Sequence, residues 1–236
     1  MSSYVEQIIE HLHSSATLYK QVQEQGLGQR LIALREWQCN RLLHSHDEIY
    51  ADPNYRPAMQ FFVDELYGPK DFSQRDKDIE KVVPKMKKWL PREALASLAV
   101  AIHLNALSQE LDVAMLAQLD GREIDRHSYA DAYAKCENAQ QRAMQIDYIE
   151  QLGLDLANVV DFPGIGFILK MARKPANMAG LSTLQQVLED GCAAFKQLGD
   201  VRSFIIPMVS VERDIKNRLF EGENPLPDLN KNASNC

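Results

Sequence analysis

Apolar positions recur every three to four residues along nearly the whole chain, and no stretch alternates with the two-residue period of a half-buried strand. Val5, Ile8, Ile9, Leu12, Ala16 and Tyr19 share one helical face before Gly26 and Gly28 interrupt it. Leu27, Leu31, Leu34, Leu42 and Ile49 then form a second stripe, with Gln38 and Ser45 on the same side. The two runs predict a hairpin of long antiparallel helices over residues 4–51. It ends before Asp52-Pro53, because the residue ahead of a proline is pushed out of the helical region.

Over residues 54–90 a helix starting near Pro57 buries Met59, Phe62, Val63 and Leu66 and stops at Gly68-Pro69. Asp71 or Ser73 caps the next, in which Ile79, Val82, Val83 and Met86 face inward, Pro84 kinks or breaks the helix, and Trp89-Leu90-Pro91 closes the segment. Within residues 91–222, the Ala- and Leu-rich run from Arg92 to Leu119 is apolar nearly all round between Ala94 and Leu107, the pattern of a central helix. Asp120-Gly121 is a turn, a short helix covers Arg126 to Cys136, and Asn138 caps a longer one carrying Ile146, Ile149, Leu152, Leu156 and Val159. After Phe162-Pro163-Gly164 come a short apolar segment, Ile165 to Ala172, and a stripe of Leu184, Val187, Leu188, Cys192, Phe195 and Leu198. A last helix places Phe204, Met208, Val211, Ile215 and Leu219 together.

This succession predicts an all-α fold, a compact domain of about eight to ten helices with no significant β-sheet. It spans residues 1–222, and no repeat of solenoid period appears. Residues 223–236, with Pro225, Pro227 and several Asn, are expected to form a disordered tail.

The block Phe61-Phe62-Val63-Asp64-Glu65-Leu66-Tyr67-Gly68-Pro69, followed by Asp71-Phe72-Ser73-Gln74-Arg75-Asp76-Lys77-Asp78, adds a second kind of information. It resembles the signature of the bacterial FFLEELY-motif proteins, with Val63 and Asp64 in place of Leu and Glu, and the resemblance runs from about Tyr4 to Phe220. It implies a helical fold in a bacterial protein and brings no reaction, ligand or catalytic residue with it.

Composition narrows the picture further. A net charge of −7 argues against nucleic acid or anionic lipid as the main partner, leaving only a local basic patch. The densest basic run, Lys81, Lys85, Lys87 and Lys88, follows Asp76, Asp78 and Glu80 and reads as a solvated, dipole-matched helix. Cys39, Cys136, Cys192 and Cys236 lack metal or redox spacing and read as free thiols. No signal peptide or membrane span is visible, so no membrane insertion is expected and the cytoplasm follows by default.

Candidate chemistry is sparse. His44-Ser45-His46-Asp47-Glu48 offers imidazole and carboxylate, but His44 and His46 sit about 200° apart on a helix. Glu10 and His13 form a single Glu-x-x-His where a di-iron bundle needs two, and Gly164-Ile165-Gly166 lacks the strand of a phosphate loop. No metal site and no cofactor are predicted, and no catalytic residue is assigned. His103, among Val100, Ile102, Leu104 and Leu107, reads either as a core histidine with a hydrogen-bond partner or as a haem ligand, with Asn105 and Gln109 able to extend a polar network. Arg56, Glu65, Arg75, Asp76 and Asp78 surround the signature aromatics as a semi-buried ion-pair network or the lining of a ligand pocket. His103, Arg56, Glu65, Arg75 and Asp76 are therefore the candidate ligand-binding residues. Two readings follow. The first is a non-enzymatic helical binding or scaffold protein with a protein partner or a second copy of itself, to which exposed aromatics such as Tyr4, Tyr55 and Tyr133 would contribute. The second is a small-ligand or cofactor-binding protein, which leaves room for an enzyme, with its pocket between the central and signature helices.

Overall fold

The computed structural model describes residues 3–64, 76, 79–80, 83–84, 92–160, 163–178 and 182–229. These residues form ten helices and no strand: α1 (Tyr4–Glu24), α2 (Gly28–Ser45), α3 (Asp47–Ala51), α4 (Arg56–Phe62), α5 (Arg92–Leu119), α6 (Arg126–Lys135), α7 (Ala139–Val160), α8 (Ile165–Met178), α9 (Ser182–Lys196) and α10 (Val201–Phe220). The arrangement is a compact all-α one, as the periodicity predicts. No single helix among the described residues is long and apolar enough to cross a membrane.

Local chemistry sets several boundaries. Ser3 and Glu6 close a capping box on α1, Asp125 with Ser128 caps α6, and Asp200 caps α10, so donors that the first helical turn leaves open are satisfied. Gly26 and Gly121 sit at φ of 70° and 77°, the left-handed conformation that lets the chain leave α1 and α5 abruptly. The carbonyl oxygen of Asn138 starts the α7 ladder, but its side-chain oxygen is buried without a partner, so the expected side-chain cap is not made.

The central helix α5 organises the packing. Its first turns join Ile8, Leu12, Ile79 and Val83, Leu104 reaches the main core, and Met115, Leu116 and Leu119 pack with Val22, Leu31, Leu34 and the α6 tyrosines. α1 and α2 each lie along α5 instead of along one another, so the expected hairpin is one in connectivity and both apolar stripes serve the central helix. The second arm also breaks at His46, whose φ of −127° ends α2 and starts α3.

The signature aromatics form a hub. Phe62 meets Phe195 and Phe204 at ring distances of 5.5 Å and 5.9 Å, and Phe61 stands edge-on to Phe195 at 5.9 Å. Phe61 also lies across Gly191, where a Cβ would come within 2.7 Å of its ring. The second half of the signature, Glu65 to Pro69, together with Asp71, Ser73, Arg75 and Trp89 to Pro91, lies outside the described residues.

Three expected stripes need correction. On α7 the buried series is Ile146, Ile149, Gly153, Ala157 and Val160, while Val159 is exposed. Gly153 and Ala157 let α10 approach so closely that a Cβ on Gly153 would meet Ile205 at 2.5 Å, and that contact turns the helix away from its larger apolar residues. Leu188 and Val211 are likewise exposed. Gln185 of α9 donates to the Leu169 carbonyl, and Glu212 takes the inward position on α10. The segment beginning at Ile165 is a full helix running on to Met178.

The packed part of the chain also continues past the boundary expected at residue 222. Asn224 exchanges hydrogen bonds with the Arg126 backbone and guanidinium, and Leu226 is 2% exposed within the α2/α5/α6/α10 core. Removing residues 223–236 is therefore expected to lower stability by about 2 kcal/mol, the burial of one leucine, and the melting temperature by roughly 4–8 °C. A melting curve of the truncated chain checks this.

Candidate functional site

Five helices and the Leu226 strap enclose a polar cleft on the α5 side opposite His103. Its interior holds about 50 Å³ and opens to solvent at the mouth. α2 contributes Arg35, Gln38 and Arg41, and α5 contributes Asn105, Ser108, Gln109 and Asp112. Tyr129 and Tyr133 come from α6, Arg142 and Gln145 from α7, and Glu212 and Lys216 from α10.

Two ion pairs brace the walls. The Nη1 of Arg41 donates to both Glu212 carboxylate oxygens at 2.6 Å and 2.7 Å, and His46 Nε2 approaches the same carboxylate at 2.9 Å. Burial alone would raise the Glu212 pKa, but Arg41 and the His46 bond outweigh it and hold the carboxyl at about 2. Across the cleft Arg35 Nε donates to Asp112 at 2.9 Å and Gln38 Nε2 donates to the other Asp112 oxygen at 3.1 Å.

Arg142 is different. It is 5% exposed, lies with its guanidinium carbon 4.7 Å from the Tyr133 ring centre, and donates once from Nη1 to Gln145 at 3.1 Å. Its Nε and Nη2 have no partner, and no carboxylate pairs with it among the described residues. Burial opposes its charge, yet the surrounding Tyr133, Tyr129 and Asp112 oxygens outweigh burial and keep its pKa above the ordinary value. The lining residues thus contain four cations, Arg35, Arg41, Arg142 and Lys216, against two carboxylates that are already engaged. A desolvated guanidinium with free donors, beside a second cation, is the chemistry that receives a carboxylate or phosphate.

The lining contains no histidine or cysteine, and Ser108 accepts from Gln145 Nε2 without a base beside it. The arrangement can hold an anion.

The described sequence candidates, His103, Arg56 and Asp76, do not line the cleft. His103 stacks on His11 at 4.0 Å and shares a 3.1 Å hydrogen bond with the Tyr148 hydroxyl; burial, with His11 beside it, lowers its pKa. Arg56 donates to the carbonyls of Tyr50 and Ala51, so it closes the α3/α4 turn. Glu65 and Arg75 lie outside the described residues, and Asp76 is half-buried away from the cleft lining. His44 bonds Asn40, His46 bonds Glu212 and His13 bonds Glu80, and no group of three potential metal ligands occurs among the described residues. Asn105 and Gln109 do reach a polar network, but not the one around His103: at 100° per residue they point about 200° and 240° away from it. Arg142 was detectable as the upstream continuation of the Ile146, Ile149 stripe, one turn earlier on the same face.

Comparison with known proteins adds a family and no activity. No curated protein and no solved structure matches the chain. A family model described as a domain of unknown function, DUF8198, matches residues 18–225, so nearly every element that lines the cleft falls within it, and the chain belongs to that family.

Proposed function

We propose that this is a non-enzymatic helical binding protein of the bacterial cytoplasm, of the FFLEELY-motif group, and that its cleft holds a small anion of phosphate or carboxylate type. The observation that carries the reading is Arg142, a buried guanidinium with two unsatisfied donors and no carboxylate bonded to it among the described residues. Leaving such a cation unpaired in a core costs several kcal/mol, so a bound anion that completes it gains both ion pairing and hydrogen bonds. An interior of about 50 Å³ suits an anion of phosphate or small-carboxylate size. The amide and hydroxyl groups of Gln38, Asn105, Ser108 and Gln145 supply orientation around the charge.

The test is native mass spectrometry of freshly purified protein, followed by thermal melts in inorganic phosphate and in citrate. A retained small mass, or a rise of roughly 5–10 °C at about a hundred times the dissociation constant, supports the reading. No retained mass and an unchanged melting temperature with both anions would sink it, leaving water as the partner of Arg142.

A further inference from the structure

Helix α8 is amphipathic on the wrong side for a buried helix. Ile165 and Leu169 pack against the main core, and Ala172 and Ala176 continue that inward line. The opposite face carries Phe167, Ile168, Met171 and Met178, between 49% and 83% exposed. Four large apolar side chains on one stripe of a fourteen-residue helix, with the exposed Pro175 between them, make a contiguous patch that a helix of a closed core does not present.

The charges on the same helix say what covers it. In a chain of net charge −7, α8 carries Lys170, Arg173 and Lys174 and no acidic residue. Arg173 is held by Glu189 of α9. Lys170 and Lys174 make no ion pair among the described residues and lie about 110° and 70° round the helix from the middle of the apolar stripe. That is the edge position from which lysine stems run along an apolar surface while the ammonium groups reach a headgroup layer. A second copy related by a two-fold axis would set the same lysines around its own patch, and Glu189 beside them is already held by Arg173.

We propose that α8 docks the protein onto an anionic phospholipid surface, lying in the interface with Phe167, Ile168, Met171 and Met178 in the acyl boundary and Lys170 and Lys174 at the headgroups. The helix is about 21 Å long and stays seated on α9 through its inward face, so it contributes an attachment face and not a span.

Vesicle co-sedimentation of the full chain tests this. The protein is expected to pellet at low salt with phosphatidylcholine vesicles containing about a third phosphatidylserine, and not with phosphatidylcholine alone. Salt of about 0.5 M should release most of it. The double variant Phe167→Asp/Met171→Asp should lose at least about tenfold in vesicle binding. Its melting temperature should be unchanged, because both side chains already face water. The proposal is overturned if the anionic vesicles fail to pellet the protein, if neutral vesicles pellet it equally, or if the double variant binds undiminished. It is also overturned if the variant merely converts a dimer to a monomer, which would assign the face to a second copy.

Discussion

Glu212→Gln is expected to destabilise the protein by about 3–5 kcal/mol at neutral pH, a loss of roughly 10 °C or more in melting temperature. The amide keeps the shape but leaves Arg41, whose side chain is 9% exposed, and His46, at 1%, without the carboxylate that both contact. Removing one partner strands a buried charge, and that cost exceeds the net worth of the intact pair. The double replacement Glu212→Leu/Arg41→Met should recover most of the loss, because it removes both charges and refills the volume. A cost for the single variant below about 1 kcal/mol in urea denaturation would show that the pair is solvated and screened as a surface pair is. The same carboxylate predicts an acid limb. Its pKa is held at about 2 in the fold against 4.5 ordinarily, so its stabilisation is fully present above pH 4.5 and is lost as the pH falls from there through 2. Denaturation at pH 6, 4 and 3 should show a steeper decline for the unaltered protein than for Glu212→Gln.

What was legible in the sequence divides along physical lines. The central helix, Arg92–Leu119, matches its expected limits because an Ala- and Leu-rich run bounded by Pro91 and Asp120-Gly121 has few alternatives. Phe62 was read as buried and is, and Phe61 beside it is partly buried against the same core, since two adjacent phenylalanines on a short helix have to find a core. The faces of α7, α9 and α10 were harder. Apolar size alone favoured Val159, Leu188 and Val211, whereas close helix contact at Gly153 and Ala157, and polar bonds made by Gln185 and Glu212, turn those residues outward. The cleft was illegible for a different reason. Each of Arg35, Arg41, Asp112, Arg142 and Glu212 is an ordinary polar residue in its own helix. Only the crossing of α2, α5, α7 and α10 makes them neighbours separated by up to 171 positions. The pocket expected near His103 and the cleft share α5 but lie on opposite faces of it.

Arg142→Met separates a residue kept for binding from one kept for folding. If the guanidinium is there to receive an anion, the variant should bind inorganic phosphate about a hundredfold more weakly, the scale expected when one side of a desolvated charge contact is removed. The anion-free protein should meanwhile be as stable as the original or more so, by about 1–2 kcal/mol, because methionine fills the space of the side-chain stem and leaves no unpaired charge in the core. The bond to Gln145 and the Tyr133 face contact oppose that gain, but each is worth only about 1 kcal/mol. A residue serving the fold behaves oppositely: its removal destabilises, and phosphate makes no difference to either protein. Urea denaturation of both proteins with and without phosphate reads the two quantities together. The binding reading requires a phosphate-dependent shift in the original, its loss in the variant, and no fall in the stability of the anion-free state. A destabilised variant with no phosphate shift in either protein would return Arg142 to the core as a solvated structural cation. Arg142→Lys sharpens the contrast, since it keeps the charge and loses the planar fork of donors. Affinity should fall in that variant as well, while the cost of the unpaired charge stays.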